Sequence, residues 1–329
     1  MCLRAPVEII ETCGAVPLRL TPNYDNDNIL TSEIRCDACA FCRRIPDMLE
    51  SEYFGNIKAI YAGACCDQMR RVMDTLARSS RIPVIFFGAP RTWGNHNGYF
   101  YNEFQRAAYE LAGCLETSID TNKLERRIAA RRELNSKANM LLQAVFIPAS
   151  LLQRIAASPL PAEKTLDFLN RIESDLAPAE GLRLMLAGSI PNRLCVQIIE
   201  TSGGNIIADA GCLGDRVFRE TDGNIQESFR YLYDHYIEQN LCPHRRPVKP
   251  LIEWMTELAA ERRVEGVIYR SVKYCHPWGL AAQQIKTELD LPTLIIDDDL
   301  SDAAISTYRV RIEAFMEMLQ ARRNRNKNR

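Results

Sequence analysis

Twelve cysteines stand in a chain of 329 residues, several at spacings where thiolates bind metals. Cys36, Cys39 and Cys42 form a C-x2-C-x2-C run, Cys65 and Cys66 are adjacent, Cys242 precedes Pro243, and Cys275 lies in SVKYCHPWG. Such groups suit soft metals and iron-sulfur clusters. Residues 1–20 hold no long apolar core followed by a small-residue cleavage site, and no apolar run is long enough to span a bilayer. The expected location is therefore cytoplasmic. In that reducing compartment surplus cysteine points to metal or redox chemistry rather than disulfides. Cys2, Cys13, Cys114 and Cys195 are isolated and read as small buried hydrophobes.

Other chemistry is sparse. No G-x-x-x-x-G-K-[ST] occurs, so the chain is not expected to hydrolyse ATP, and no G-x-G-x-x-G follows a strand. The histidines His96, His235, His244 and His276 are scattered, and only His276 adjoins a candidate thiol. With 41 basic against 42 acidic residues, the charge balance argues against nucleic acid or a membrane surface as partner. The basic end ARRNRNKNR has neither aromatic residues for base stacking nor an apolar face, and reads as a solvated helix end.

The elements that must position the thiols alternate strand and helix. Short apolar runs at 15–20, 57–64, 82–90, 182–189, 205–210, 265–272 and 291–297 read as buried parallel strands. Amphipathic stretches such as CDQMRRVMDTLARS and KPLIEWMTELAAERR separate them, which implies α/β units with right-handed crossovers. From Gly98 to about Asp175 helical periodicity takes over. The fold class is α/β, with two doubly wound parallel-sheet domains, 1–114 and 179–329, joined by a helical connector over 115–178.

Ligands of open parallel sheets bind beyond the carboxyl ends of the strands. Cys65 and Cys66 follow the run 57–64, Cys212 follows 205–210, and Cys275 follows 265–272, so three strands deliver a thiol to that edge. The helix N-termini that follow favour thiolates. Arg43, Arg44, Arg70, Arg71 and Lys273 lie near these cysteines in sequence and offer compensating charge. Ser189 and Asp209 fall on the same edge, placed to orient a substrate or to cap a turn.

The segments VEGVIYRSVKYCHPWG, LPTLIIDDDLSD and YRVRIEAFMEML resemble the C-terminal signature of the 2-hydroxyacyl-CoA dehydratase and benzoyl-CoA reductase family. PVEIIETCGAVPLRL is similar to that family's opening, CAFCRRIPDML and GACCDQMRRVMDTL to its two cysteine motifs, and LMLAGSIPN with GGNIIADAGCLGDRVF to its middle.

The resemblance implies two flavodoxin-like domains holding a 4Fe-4S cluster through Cys39, Cys66 and Cys275, with one iron open to substrate. It implies one-electron reduction of a CoA thioester to a ketyl radical. It also implies an acyl-CoA substrate, a homologous second subunit or a second copy as partner, and a separate ATP-hydrolysing iron-sulfur activator. Catalytic candidates are Ser189 and His276, and Trp278 is expected to shield the cluster. Cys36, Cys42, Cys65, Cys212 and Cys242 are secondary ligand candidates. A ferredoxin-like site built from Cys36, Cys39, Cys42 and Cys242 is a rival arrangement. Within the family, a homodimer with a bridged double-cubane 8Fe cluster that reduces small molecules is an alternative. A non-catalytic iron-sulfur electron carrier is another.

Overall fold

Among the described residues, aliphatic runs make six parallel strands. The computed structural model describes residues 4–20, 37–50, 56–63, 66–94, 96–189, 193–299 and 303–327. Strands β1 (Ile60–Gly63) and β2 (Val84–Phe87) pair in parallel with Ile60 opposite Val84. Four more, β3 (Leu182–Gly188), β4 (Gly204–Asp209), β5 (Gly266–Val272) and β6 (Thr293–Asp298), form a parallel sheet in the order β4-β3-β5-β6. β5 is buried along its whole length, as expected of a central strand covered on both faces. β2 and β6 begin after Pro83 and Pro292, which lack an N–H for the ladder. Their carbonyls instead accept from Ile60 and Val267, both at 2.8 Å.

One expected strand is absent. Residues 15–20 run as irregular chain, with Val16 and Leu18 exposed and Pro17 between them unable to donate. Alternating exposure and a central proline do not suit the buried strand that the apolar composition suggested. The N-terminal sheet therefore has two strands among the described residues.

Twelve α-helices accompany the strands among the described residues. In the N-terminal part are α1 (Val7–Thr12), α2 (Ala40–Glu50), α3 (Asp67–Ser79) and α4 (Tyr99–Cys114). The expected helical stretch contains α4 together with α5 (Thr121–Ala144), α6 (Ala149–Ala156) and α7 (Ala162–Ile172). The C-terminal part adds α8 (Arg193–Thr201), α9 (Ser228–Tyr233), α10 (Lys249–Glu261), α11 (His276–Glu288) and α12 (Ala303–Lys327). No described helix is long and apolar enough to cross a membrane.

Both faces of the four-stranded sheet are covered. Met255, Tyr269, Trp278 and Ile285 pack on one side, and Leu184, Ile199, Ile268 and Ile312 on the other. Tyr231, Leu232, Tyr236 and Ile237 share a core with Ile9, Phe87, Phe104 and Leu111, so the segment around α9 packs on the N-terminal helices. A further core gathers Cys39, Phe41, Cys42, Ile45, Ile60 and Met69 with Val272 at the end of β5. This last core joins the N-terminal elements to the larger sheet, and the cysteines lie in it.

Candidate functional site

Three helices begin at cysteines. Cys39 directly precedes α2, Cys66 caps α3, and Cys275 caps α11. The Met69 amide donates to the Cys66 sulfur over 3.3 Å, one of the otherwise unsatisfied N–H groups of a helix start. Cys42 lies in the first turn of α2, on the same face as Cys39 by its three-residue spacing. Cys39 and Cys42 are buried in the shared core, with Cys66 and Cys275 packed against it.

The four thiols touch in sequence: Cys275 contacts Cys39, Cys39 contacts Cys42, and Cys42 contacts Cys66. The Cys275 and Cys42 thiols hydrogen-bond to the Cys39 sulfur and hold its proton affinity well below that of an ordinary thiol. Cys42 is pushed up by its bonds to Cys39 and Cys66 and by burial, and Cys275 by its bond to Cys39 and by burial.

Backbone contacts lace the three loops together. The Gln68 side chain accepts from the Cys39 amide and donates to the Tyr274 carbonyl at 3.3 Å. The Ala40 amide donates to the Lys273 carbonyl at 3.3 Å. Between β5 and α11, the Cys275 amide donates back to Val272 over 2.8 Å, with Tyr274 left-handed at φ 66°. A non-glycine residue with this φ is held by its surroundings. Behind this turn, the buried Arg270–Asp298 ion pair and the Lys273 amide, which donates to the Asp298 carbonyl at 2.6 Å, tie β5 to β6.

Of the other candidates, Ser189 is buried and its hydroxyl accepts from the Val272 amide at 2.8 Å, which fixes the end of β5. His276 is exposed on the first turn of α11. Trp278 packs into the C-terminal core against Tyr269, with the Arg216 guanidinium 5.2 Å over its ring. Cys212 receives an Arg216 hydrogen bond at 3.4 Å and packs against the C-terminal core, as Cys275 also does. Cys242 sits in a loop anchored by buried Arg245, which stacks 3.8 Å from the Trp93 ring. Cys36 and Cys65 lie outside the described residues. Asp209 is buried, accepts from Gln153 at 2.9 Å and from the Gly211 amide at 2.8 Å, and is pushed up to about 6 by burial.

Two groups near the thiols carry no motif. Arg4 is fully buried, and its three guanidinium nitrogens have no hydrogen-bond partner among the described residues. It runs beside the end of β1, where a Cβ on Gly63 would lie 3.2 Å from the Arg4 Cβ. His244 is pushed down to about 4 by burial, with Arg4 next in effect, and it also feels Cys66. Arg70, Arg71 and Lys273, the sequence neighbours expected to offset thiolate charge, are exposed. Of the other sequence neighbours Arg44 is buried and Arg43 half-buried, and Arg4, remote in sequence, is a further buried cation.

A cavity of about 590 Å³ opens between α1, the chain at 15–20 and the segment after α9. It is lined by Ile10, Leu18, Tyr61, Leu111 and Leu241, with Arg19, Lys58, Arg131, Arg216, Arg219 and Glu220 among its charged groups. None of the four sulfurs lines it.

The match to known proteins follows the same span. The family model of the 2-hydroxyglutaryl-CoA dehydratase D-component covers residues 2–319. The chain belongs to this family. It is 24% identical over 162 residues to the (R)-phenyllactyl-CoA dehydratase beta subunit of Clostridium sporogenes, which is 48% of this chain and 43% of that one. It is 23% identical over 128 residues to the provisionally named dehydratase subunit YjiM of Escherichia coli strain K12, which is 38% of this chain and 33% of that one. The chain thus spans less than half the length of these curated relatives.

The donor set fits an iron-sulfur cluster. A cubane takes each thiolate on a different iron, so its ligands need not converge on one point as those of a single ion must. Among the described residues no group of three or more His, Cys, Asp or Glu side chains is placed for a single ion. Soft thiolates at three helix N-termini beside an unpaired guanidinium do suit a buried cluster of negative charge.

Proposed function

We propose that this chain is the iron-sulfur subunit of an enzyme of the 2-hydroxyacyl-CoA dehydratase type. One observation carries the reading: three helices that start at Cys39, Cys66 and Cys275 bring their N-termini together, with Cys275 bonded to Cys39 and Cys66 linked to Cys39 through Cys42. Cys39, Cys66 and Cys275 would hold a 4Fe-4S cluster. Bound there, the cluster would supply one-electron chemistry on a CoA thioester. Gln68 keeps the Cys39 and Cys275 loops at a fixed separation, and the buried core around Ile45, Met69 and Val272 keeps water from the sulfurs. Low-dielectric surroundings strengthen the pull of Arg4 and the helix dipoles on a negative cluster.

The family match and the name of the phenyllactyl-CoA dehydratase subunit support an acyl-CoA as substrate and a second subunit as partner. With no nucleotide-binding loop in its sequence, the chain needs a separate ATP-hydrolysing activator for its strongly reducing electron.

The test is anaerobic. Purified full-length protein should be brown and carry about four irons per chain. With its second subunit, an activator and ATP, it should convert a 2-hydroxyacyl-CoA to the enoyl-CoA without net consumption of reductant. Protein that stays colourless and iron-free after reconstitution would overturn the cluster. Brown protein that consumes reductant in proportion to product would replace the dehydratase with a reductase of the double-cubane kind.

A further inference from the structure

Cys42 is one of the thiols outside the ligand set that the family resemblance implies, yet it stands between two members of that set. Its sulfur contacts those of both Cys39 and Cys66, so Cys66 joins the chain of thiols through it. It is 2% exposed, the most buried of the four. Its place on α2 follows from helix geometry, since residues three apart share a face. A cluster held by Cys39, Cys66 and Cys275 would lie against this sulfur.

We infer that Cys42 is a fourth cluster ligand, and that this chain is the electron-relaying member of its enzyme rather than the one whose cluster binds substrate. This rests on the iron-sulfur reading above. Four thiolates on four irons leave no open coordination position, and an open position is what a metal needs to take a substrate oxygen. A closed cluster can accept one electron from the activator and pass one on to the acyl-CoA-binding partner, with no bond made or broken at iron. No sulfur of the set lines the cavity beside α1.

The experiment uses the full chain, reconstituted anaerobically as wild type, C42A, C42S and C114A, the last changing an exposed cysteine outside the site. Circular dichroism checks that each folds. An iron without a cysteine ligand is readily lost on mild oxidation, leaving a 3Fe-4S form with its own electron paramagnetic resonance signal. Wild type and C114A should keep all their iron under ferricyanide, whereas C42A should lose about a quarter of it and show the 3Fe-4S signal. C42S, isosteric but with a harder oxygen donor, should shift the spectrum and midpoint potential of the reduced cluster. Folded C42A and C42S that fail to assemble a cluster while C114A succeeds would also support ligation.

Wild type that loses one iron as readily as C42A would overturn the inference, as would a C42S spectrum and potential identical to wild type. Either result would leave the iron-sulfur reading intact. Wild type that binds no iron at all would remove both.

Discussion

Cys275 and Cys212 both follow strands of the same sheet at its carboxyl edge, yet Cys275 bonds to the Cys39 sulfur while Cys212 takes a hydrogen bond from Arg216. The strand order supplies the reason. β5, which leads to Cys275, ends against the N-terminal core through Val272, while β4, which leads to Cys212, lies beyond β3. Two strand spacings place their ends about 10 Å apart. The local chemistry then diverges. Cys275 is tied through Gln68 to the Cys39 loop, whereas Cys212 is held by Arg216 beside Tyr269 and Trp278. A cysteine at the carboxyl edge of the sheet does not by itself join the thiol group; it must also face the element that carries the other thiols.

The largest effect should separate these two regions directly. C39A, C66A or C275A should remove nearly all bound iron, and C212A or C242A should leave it close to wild type, measured by iron content after anaerobic reconstitution. Iron lost on changing Cys242 but retained on changing Cys275 would favour the ferredoxin-like arrangement and break the comparison.

A second test concerns the β4 end. Asp209 is pushed up from its ordinary value to about 6 mainly by burial, so the folded protein holds this proton more tightly than the unfolded chain. Its contribution to stability is present below about pH 4 and is lost as pH rises through about 6, a change of roughly 3 kcal/mol. D209N should lack this component, so the difference between variant and wild type in denaturant unfolding should shift in the variant's favour between pH 4 and pH 6. A difference independent of pH would show that Asp209 is not the group responsible. Glu11, likewise raised to about 6 by burial, stays in both proteins and cancels.

Arg4 gives an effect of opposite sign in two states of the protein. A buried guanidinium without hydrogen-bond partners costs stability, so R4M in iron-free protein should be as stable as wild type or more stable, by roughly 1–3 kcal/mol. In cluster-loaded protein the same change should lower the midpoint potential, because a positive charge near the cluster favours the added electron. Loss of stability in the iron-free state would show that Arg4 has a structural partner.

The smallest effect should come from Gln68, whose side chain joins the Cys39 and Tyr274 loops. Q68A removes two hydrogen bonds and should cost about 1–2 kcal/mol, with slower cluster assembly but unchanged iron content at saturation. Iron content halved at saturation would raise Gln68 from a tether to a requirement for ligation.

The strands were largely legible because a buried parallel strand needs an unbroken apolar run, and five of the six follow such runs within two residues of their starts. Residues 15–20 misled because composition alone cannot tell a buried strand from an apolar segment along a cavity wall, and Pro17 was the only warning. The cysteine motifs were visible as spacings. The contact of Cys42 with Cys66 was not, since it depends on how α2 lies against α3.

By itself, the sequence determined the α/β class, the thiol-bearing loops and the family, because hydrophobic period and cysteine spacing are local properties of the chain. Only the tertiary structure decided which thiols meet, that Arg4 and Arg44 rather than Arg70 and Arg71 are buried, and that Ser189 braces β5. Those outcomes depend on strand order and on packing between residues far apart in the chain, which no local pattern encodes.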